Sequence, residues 1–120
     1  WALGVLAERR GDTAAALEWY HKALEIQPAF DYANYNLCRL LLILGRPEES
    51  ARACRQGLRY KPTDTDLMKA LGESFIAMRQ TTKGIAVLQR ALVLSPEDEA
   101  LRRRLGQLSG ELHGEATDAR

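Results

Sequence analysis

A chain of 120 residues is long enough for one domain and too short for two of ordinary size. Hydrophobic residues make up 46% and charged residues 28%, the make-up of a folded chain rather than a disordered one. Its 17 basic and 16 acidic side chains leave a formal charge of +1, so no bulk field draws a polyanion and nucleic acid is not indicated as a partner.

The chain opens inside a helix. Trp1 aligns with Tyr35, 34 residues on, which puts it within a first helix whose start is missing, so the sequence reads as a piece of something longer. Gly11-Asp12 breaks that helix, with Asp12 or Thr13 as the cap of the next. The second helix ends before Pro28. In the third, Tyr35, Leu37, Cys38, Leu41, Leu42 and Leu44 form an apolar face at helical spacing. Its run Leu40–Leu44 is the longest apolar stretch and far too short to span a bilayer, so no membrane insertion is expected.

Gly45-Arg46-Pro47 follows: glycine suits a helix end, and proline suits the first turn of a new one. Glu48 and Glu49 then meet the positive end of the fourth helix's dipole. This helix reaches about Tyr60 and stops before Pro62. The third break, Gln80-Thr81-Thr82, has no glycine but still offers capping side chains. The last helix runs from about Glu99 to His113, with Leu101, Leu105, Leu108 and Leu112 in one stripe and Arg102, Arg103, Arg104 and Gln107 on its other sides.

A fixed period underlies these elements. Pro28, Pro62 and Pro96 are spaced by 34 residues, as are Leu3, Leu37, Leu71 and Leu105, and Leu24, Leu58 and Leu92. Small residues keep the same phase at Gly4, Cys38, Gly72 and Gly106, at Ala16, Ser50 and Gly84, and at Ala23, Gly57 and Ala91. Where two helices cross closely a large side chain would hold the axes apart, which explains the small columns. A single pair cannot bury its apolar face, so successive pairs must stack into a continuous ribbon of core.

The pattern resembles the tetratricopeptide repeat, a 34-residue helix–turn–helix. The early Leu-Gly pair stands at Leu3-Gly4, Leu71-Gly72 and Leu105-Gly106. The second-helix pattern stands at Ala16, Tyr20, Ala23, Leu24 and Pro28, and again at Gly84, Leu88, Ala91, Leu92 and Pro96; Ser50, Cys54, Gly57, Leu58 and Pro62 form the most divergent copy. The expected fold is all-α, a right-handed solenoid of antiparallel helix pairs. Units are expected over 1–30, 31–64 and 65–98, followed by a closing helix or truncated fourth unit over 99–113 and a frayed tail over 114–120.

The resemblance implies a protein-interaction module whose first helices line a concave face. Matching the family's columns gives a ligand groove of Trp1, Tyr32, Tyr35, Asn36, Arg39, Asp66, Lys69, Glu73 and Arg103, with Val5, Ala70, Arg104 and Gln107 beside them. Aromatic area and directed hydrogen bonds from Asn36 and Arg39 suit an extended peptide or partner helix, and the mixed charges favour a mildly acidic or mixed peptide over a basic one. An amide such as Asn36 can donate to and accept from a peptide backbone together. The family's clamp for the acidic carboxy-terminal tail of heat-shock chaperones requires lysine, asparagine and arginine at columns that here hold Trp1, Val5, Asn36, Asp66 and Ala70; only Asn36 matches, so that ligand is not expected.

Two further readings stand beside the adaptor. The incomplete first helix leaves apolar surface through which the chain can self-associate, and the fragment can be the substrate-recruiting arm of a larger enzyme. Within the sequence, His21 and His113 have no cysteine or carboxylate at metal-ligand spacing, and there is no phosphate loop or nucleophile motif; no catalytic residue, metal or cofactor is expected. Two cysteines are too few for a disulfide framework. Folding about Arg46 places Cys38 near Cys54, and the favoured reading is two buried thiols acting as small apolar side chains, with a disulfide as the alternative in an oxidising compartment.

Overall fold

The 34-residue phase is realised as seven helices in the computed structural model, which describes residues 1–118, with side chains as far as Glu111. They are α1 (Ala2–Arg9), α2 (Thr13–Ile26), α3 (Asp31–Ile43), α4 (Pro47–Tyr60), α5 (Thr65–Ala77), α6 (Thr81–Leu94) and α7 (Glu99–Asp118). No strand occurs among the described residues. Each helix packs on its successor, and α3 also packs on α5, so the odd-numbered helices form one layer and the even-numbered ones the other. The result is an all-α helical repeat solenoid, with extents of 50 × 27 × 21 Å.

The first helix of each pair ends in the same way. Gly11, Gly45 and Arg79, each 34 residues from the next, have positive φ (77°, 74° and 65°). The amide three residues past each helix then reaches back a full turn: Asp12 N donates to Ala7 O, Arg46 N to Leu41 O, and Gln80 N to Phe75 O, all at 2.9 Å. This is the left-handed closure that glycine accepts without penalty. The third break was expected to rely on capping residues alone. Instead Arg79 adopts the glycine's conformation, and Gln80, at the start of α6, makes no side-chain cap. At the first break Asp12 is the cap, accepting from Ala15 N at 3.0 Å. Pro47 opens α4 as expected.

The small columns mark where the second helix of a pair lies against the first. A Cβ added to Gly4 would meet the Tyr20 ring at 2.5 Å, and one on Gly72 would meet Leu88 at 2.7 Å. At Gly84 it would lie 2.7 Å from the carbonyl oxygen of Gly72, backbone against backbone. Gly106 holds the same column, yet an added Cβ meets nothing within 4 Å among the described residues. Its leucine stripe, by contrast, is used: Leu101 and Leu108 are buried against Met68, Leu88 and Ala91, so α7 covers the apolar face of α6. α7 continues past His113, the expected end of the last helix, to Asp118. Residues 119 and 120, and the side chains of Leu112 and His113, lie outside what the structure describes.

The divergent middle pair is held by polar as well as apolar contacts. Ser50 Oγ donates to Cys38 O at 2.7 Å and lies 2.9 Å from Ser74 Oγ, which donates to Ala70 O at 2.8 Å. Both serines are fully buried, and this chain satisfies their hydroxyls. Beside it, Cys38 and Cys54 form a disulfide across α3 and α4, with Cα atoms 5.4 Å apart. The preferred reading of two thiols is thereby corrected: the small column of Gly4, Cys38 and Gly72 faces the column of Tyr20, Cys54 and Leu88, and in the middle pair this close approach brings the two cysteines within bonding range. On the expected apolar face of α3, Leu44 is half-exposed and its place in the core is taken by Leu40.

Candidate functional site

The odd-numbered helices carry a groove of about 520 Å³, lined by Trp1 and Val5 at α1, Asp31, Tyr32, Tyr35 and Asn36 on α3, and Lys61, Asp64 and Asp66 at the entry to α5. Helical spacing explains the set: residues 32, 35 and 36 share one face of α3, while Ala33, Asn34 and Leu37 turn into the core. Five of the expected groove residues, Trp1, Tyr32, Tyr35, Asn36 and Asp66, therefore meet in one cavity.

Aromatic rings form one end of it. The Trp1 and Tyr32 ring centroids are 5.2 Å apart at a tilt of 39°, and Phe30 stands 6.0 Å from both. These spacings fall in the range of favourable aromatic pairs. Trp1 and Tyr32 nonetheless stay exposed, leaving ring surface open to a ligand.

The other four expected residues lie elsewhere, and ion pairs account for three of them. Arg39 donates to both oxygens of Glu8 at 2.8 Å, linking α3 to α1. Burial acts against its charge, but the Glu8 carboxylate outweighs this and holds its pKa above the ordinary value. Tyr20, buried on α2, donates its hydroxyl to the same carboxylate. Burial, then that hydrogen bond, raises the Tyr20 pKa. Glu73 receives Arg104 at 2.8 and 2.9 Å, and Lys69 sits 3.0 Å from Asp98 and 3.7 Å from Asp66. The hydrogen bond to Asp98 raises the Lys69 pKa. Lys69, Glu73 and Arg104 line a smaller cavity of about 190 Å³ between α5 and α7. Arg103 is exposed on α7 and lines neither cavity.

Asp31, Lys61 and Asp64 were not foreseen in the groove. They sit at helix ends, where the repeat columns say little. Asp64 carried a readable signal, an acidic residue just before an apolar helix, and it caps α5 by accepting from Leu67 N at 3.1 Å. Lys61 reaches Asp31 at 3.2 Å, and that hydrogen bond raises its pKa. The charges around the groove are mixed, with carboxylates in excess. Its lining holds three carboxylates and one ammonium side chain; Asp31 is paired with Lys61 at 3.2 Å, and Asp66 lies 3.7 Å from Lys69, which it shares with Asp98.

A third cavity, of about 410 Å³, opens between α2 and α4, floored by Leu37, Leu41 and Asn34. Asn34 donates to Pro28 O at 3.0 Å, while its buried side-chain carbonyl has no partner among the described residues. His21, expected on an exposed face, is exposed at the rim of this cavity. No helix among the described residues is long and apolar enough to cross a membrane, and none of them cluster as metal ligands.

A family model described as tetratricopeptide repeat matches residues 7–74. DnaJ protein P58IPK homolog B of Oryza sativa subsp. japonica is 27% identical over 109 residues, covering 86% of this chain and 23% of the relative, so the chain spans about a quarter of that protein's length. Among solved structures, the first tetratricopeptide domain of human RPAP3 superposes with a TM-score of 0.86 at 17% identity, covering 95% of this chain and 90% of that one. The first such domain of Spaghetti (RPAP3), bound to the HSP90 peptide SRMEEVD, superposes with a TM-score of 0.85 at 17% identity, covering 92% and 87%.

Proposed function

The chain belongs to the tetratricopeptide repeat family, and from that premise we propose that it is a scaffold or adaptor module that grips an extended peptide or partner helix in the groove of α1, α3 and α5. Its fold is that of protein-interaction modules in general. The observation that carries the finer reading is the meeting of Trp1, Tyr32, Tyr35 and Asn36 around one open cavity. Rigid aromatic side chains supply contact area at low entropic cost, and an amide beside them can pair with a peptide backbone. Repeat units over 1–30, 31–64 and 65–98, closed by the helix from 99, would place this groove across the first two units and the start of the third. The test is capture from a lysate of the source organism with wild type and with a Tyr35→Ala, Asn36→Ala variant whose circular dichroism is unchanged. A partner held by the wild type and lost by the variant supports the reading; equal capture by both removes it.

One observation favours a second reading. Leu3 is 51% exposed, whereas its repeat equivalents Leu37 and Leu71 are 4% and 7% exposed, each covered by the helix pair before it. Leu6 is exposed beside it. This face is shaped to receive another helix, and a second copy of the chain can supply one. Sedimentation across a range of concentrations, with wild type and a Leu3→Glu, Leu6→Glu variant, distinguishes the two. Association that the variant abolishes supports stacking through α1; a monomer at every concentration removes it.

A further inference from the structure

The way the cations are paired decides what the groove attracts. Arg39 and Arg104 are each held by both oxygens of one glutamate, and Lys69 lies between Asp98 and Asp66. What remains around the 520 Å³ groove is Asp31, Asp64 and Asp66 with Lys61, and Lys61 is engaged by Asp31. Asp66 is the most open of these, with 70% of its side chain exposed. Asp64 gives one oxygen to the α5 amide and keeps its other lone pairs. The same cavity is walled by the rings of Trp1, Tyr32 and Tyr35.

Aromatic faces attract cations through their quadrupole, and nearby carboxylates add to that attraction in a partly enclosed groove. Asp31 and Lys61 neutralise each other, while one lysine, Lys69, is shared between Asp66 and Asp98 and Asp64 makes no ion pair among the described residues, so the lining keeps a net negative charge that disfavours an acidic peptide. We propose that the groove recognises a basic peptide segment. A lysine or arginine side chain lies against the Trp1 and Tyr32 rings, Asp64 and Asp66 act as counter-charges, and Asn36 pairs with the peptide backbone. This rests on the groove being the binding surface and reverses the peptide charge that the sequence alone favoured.

The test uses two labelled synthetic peptide pools of equal length and equal apolar content, one rich in lysine and arginine and the other in glutamate and aspartate. Fluorescence anisotropy is read at low and high salt on the 120-residue chain, acetylated at its amino terminus so that the Trp1 ammonium does not enter. Variants are Asp66→Lys and Tyr35→Ala, each checked by circular dichroism. The expected result is binding of the basic pool that weakens with salt, falls about tenfold in Asp66→Lys and falls again in Tyr35→Ala. Binding of the acidic pool, lost in Tyr35→Ala, would overturn the proposal while leaving the groove as the binding surface. Basic-pool binding unaffected by either variant places the contact elsewhere and overturns it. If neither pool binds, recognition by charge is overturned, and lysate capture then judges the groove separately.

Discussion

The same substitution, glycine to alanine, should have opposite effects at Gly84 and Gly106. Both sit within helices, so each change gains about 1 kcal/mol of helix propensity. At Gly84 the new methyl would lie 2.7 Å from the Gly72 carbonyl oxygen and 2.7 Å from Ile76 Cγ1. The isoleucine can shift, but the carbonyl belongs to the α5 backbone, so relief requires moving α6 away from α5. Overpacking of this kind costs about 1–3 kcal/mol. The net result for Gly84→Ala is a loss of about 0–2 kcal/mol, the propensity gain being offset or outweighed by the clash. At Gly106 nothing among the described residues lies within 4 Å, so Gly106→Ala keeps the full gain of about 1 kcal/mol. Urea titrations followed by helical circular dichroism, run on both variants and wild type, read the difference as a shift of midpoint. Hydrogen exchange on α7 guards against local fraying being mistaken for global change. Gly84→Ala as stabilising as Gly106→Ala would refute the close crossing and with it the reason given for the small columns.

Other consequences follow from the same geometry. Arg79→Gly should stabilise by about 1 kcal/mol, since arginine holds a left-handed conformation that Gly11 and Gly45 occupy without penalty; an unchanged urea midpoint would contradict this. Thiol titration of the unreduced, denatured chain should find no free cysteine, and Cys38→Ser, Cys54→Ala should cost about 3 kcal/mol through the loop the disulfide closes. The pKa of Tyr20 is raised in the fold, so its contribution is complete below the ordinary tyrosine pKa of about 10 and declines above it, by roughly 1.4 kcal/mol per pH unit. Stability measured from pH 9 upward should therefore fall more steeply in wild type than in Tyr20→Phe, and parallel slopes would deny the buried Tyr20–Glu8 contact.

Spacing carried much of the architecture. The proline, leucine and small-residue columns were enough to place the helix breaks, because periodicity reports which side chains must be buried and where two backbones come close. The sequence could not report what side chains do across pairs. Arg39 reads as a groove residue because its column faces inward, yet Glu8, 31 residues earlier, turns it into a strut between α1 and α3. Glu73 and Arg104 repeat that arrangement two steps along, between α5 and α7. Such pairs connect residues in neighbouring repeats and obey no column. Arg79 was illegible for a different reason: the turn's geometry is imposed by the packed helices on either side, and a residue with poor preference for it is carried along. Asp31 and Lys61 entered the groove from helix ends, where local chain direction decides position.

The claim that the inner layer is the working surface can be tested most directly by photo-cross-linking. A photoreactive amino acid is placed at Tyr32, exposed in the groove, or at Val93, 79% exposed on α6 in the opposite layer, and each chain is illuminated in a lysate of its source. The account predicts a discrete adduct from position 32, suppressed by Tyr35→Ala, Asn36→Ala, and none from position 93. The same adduct from position 93 alone would contradict it and move the interaction to the outer helices.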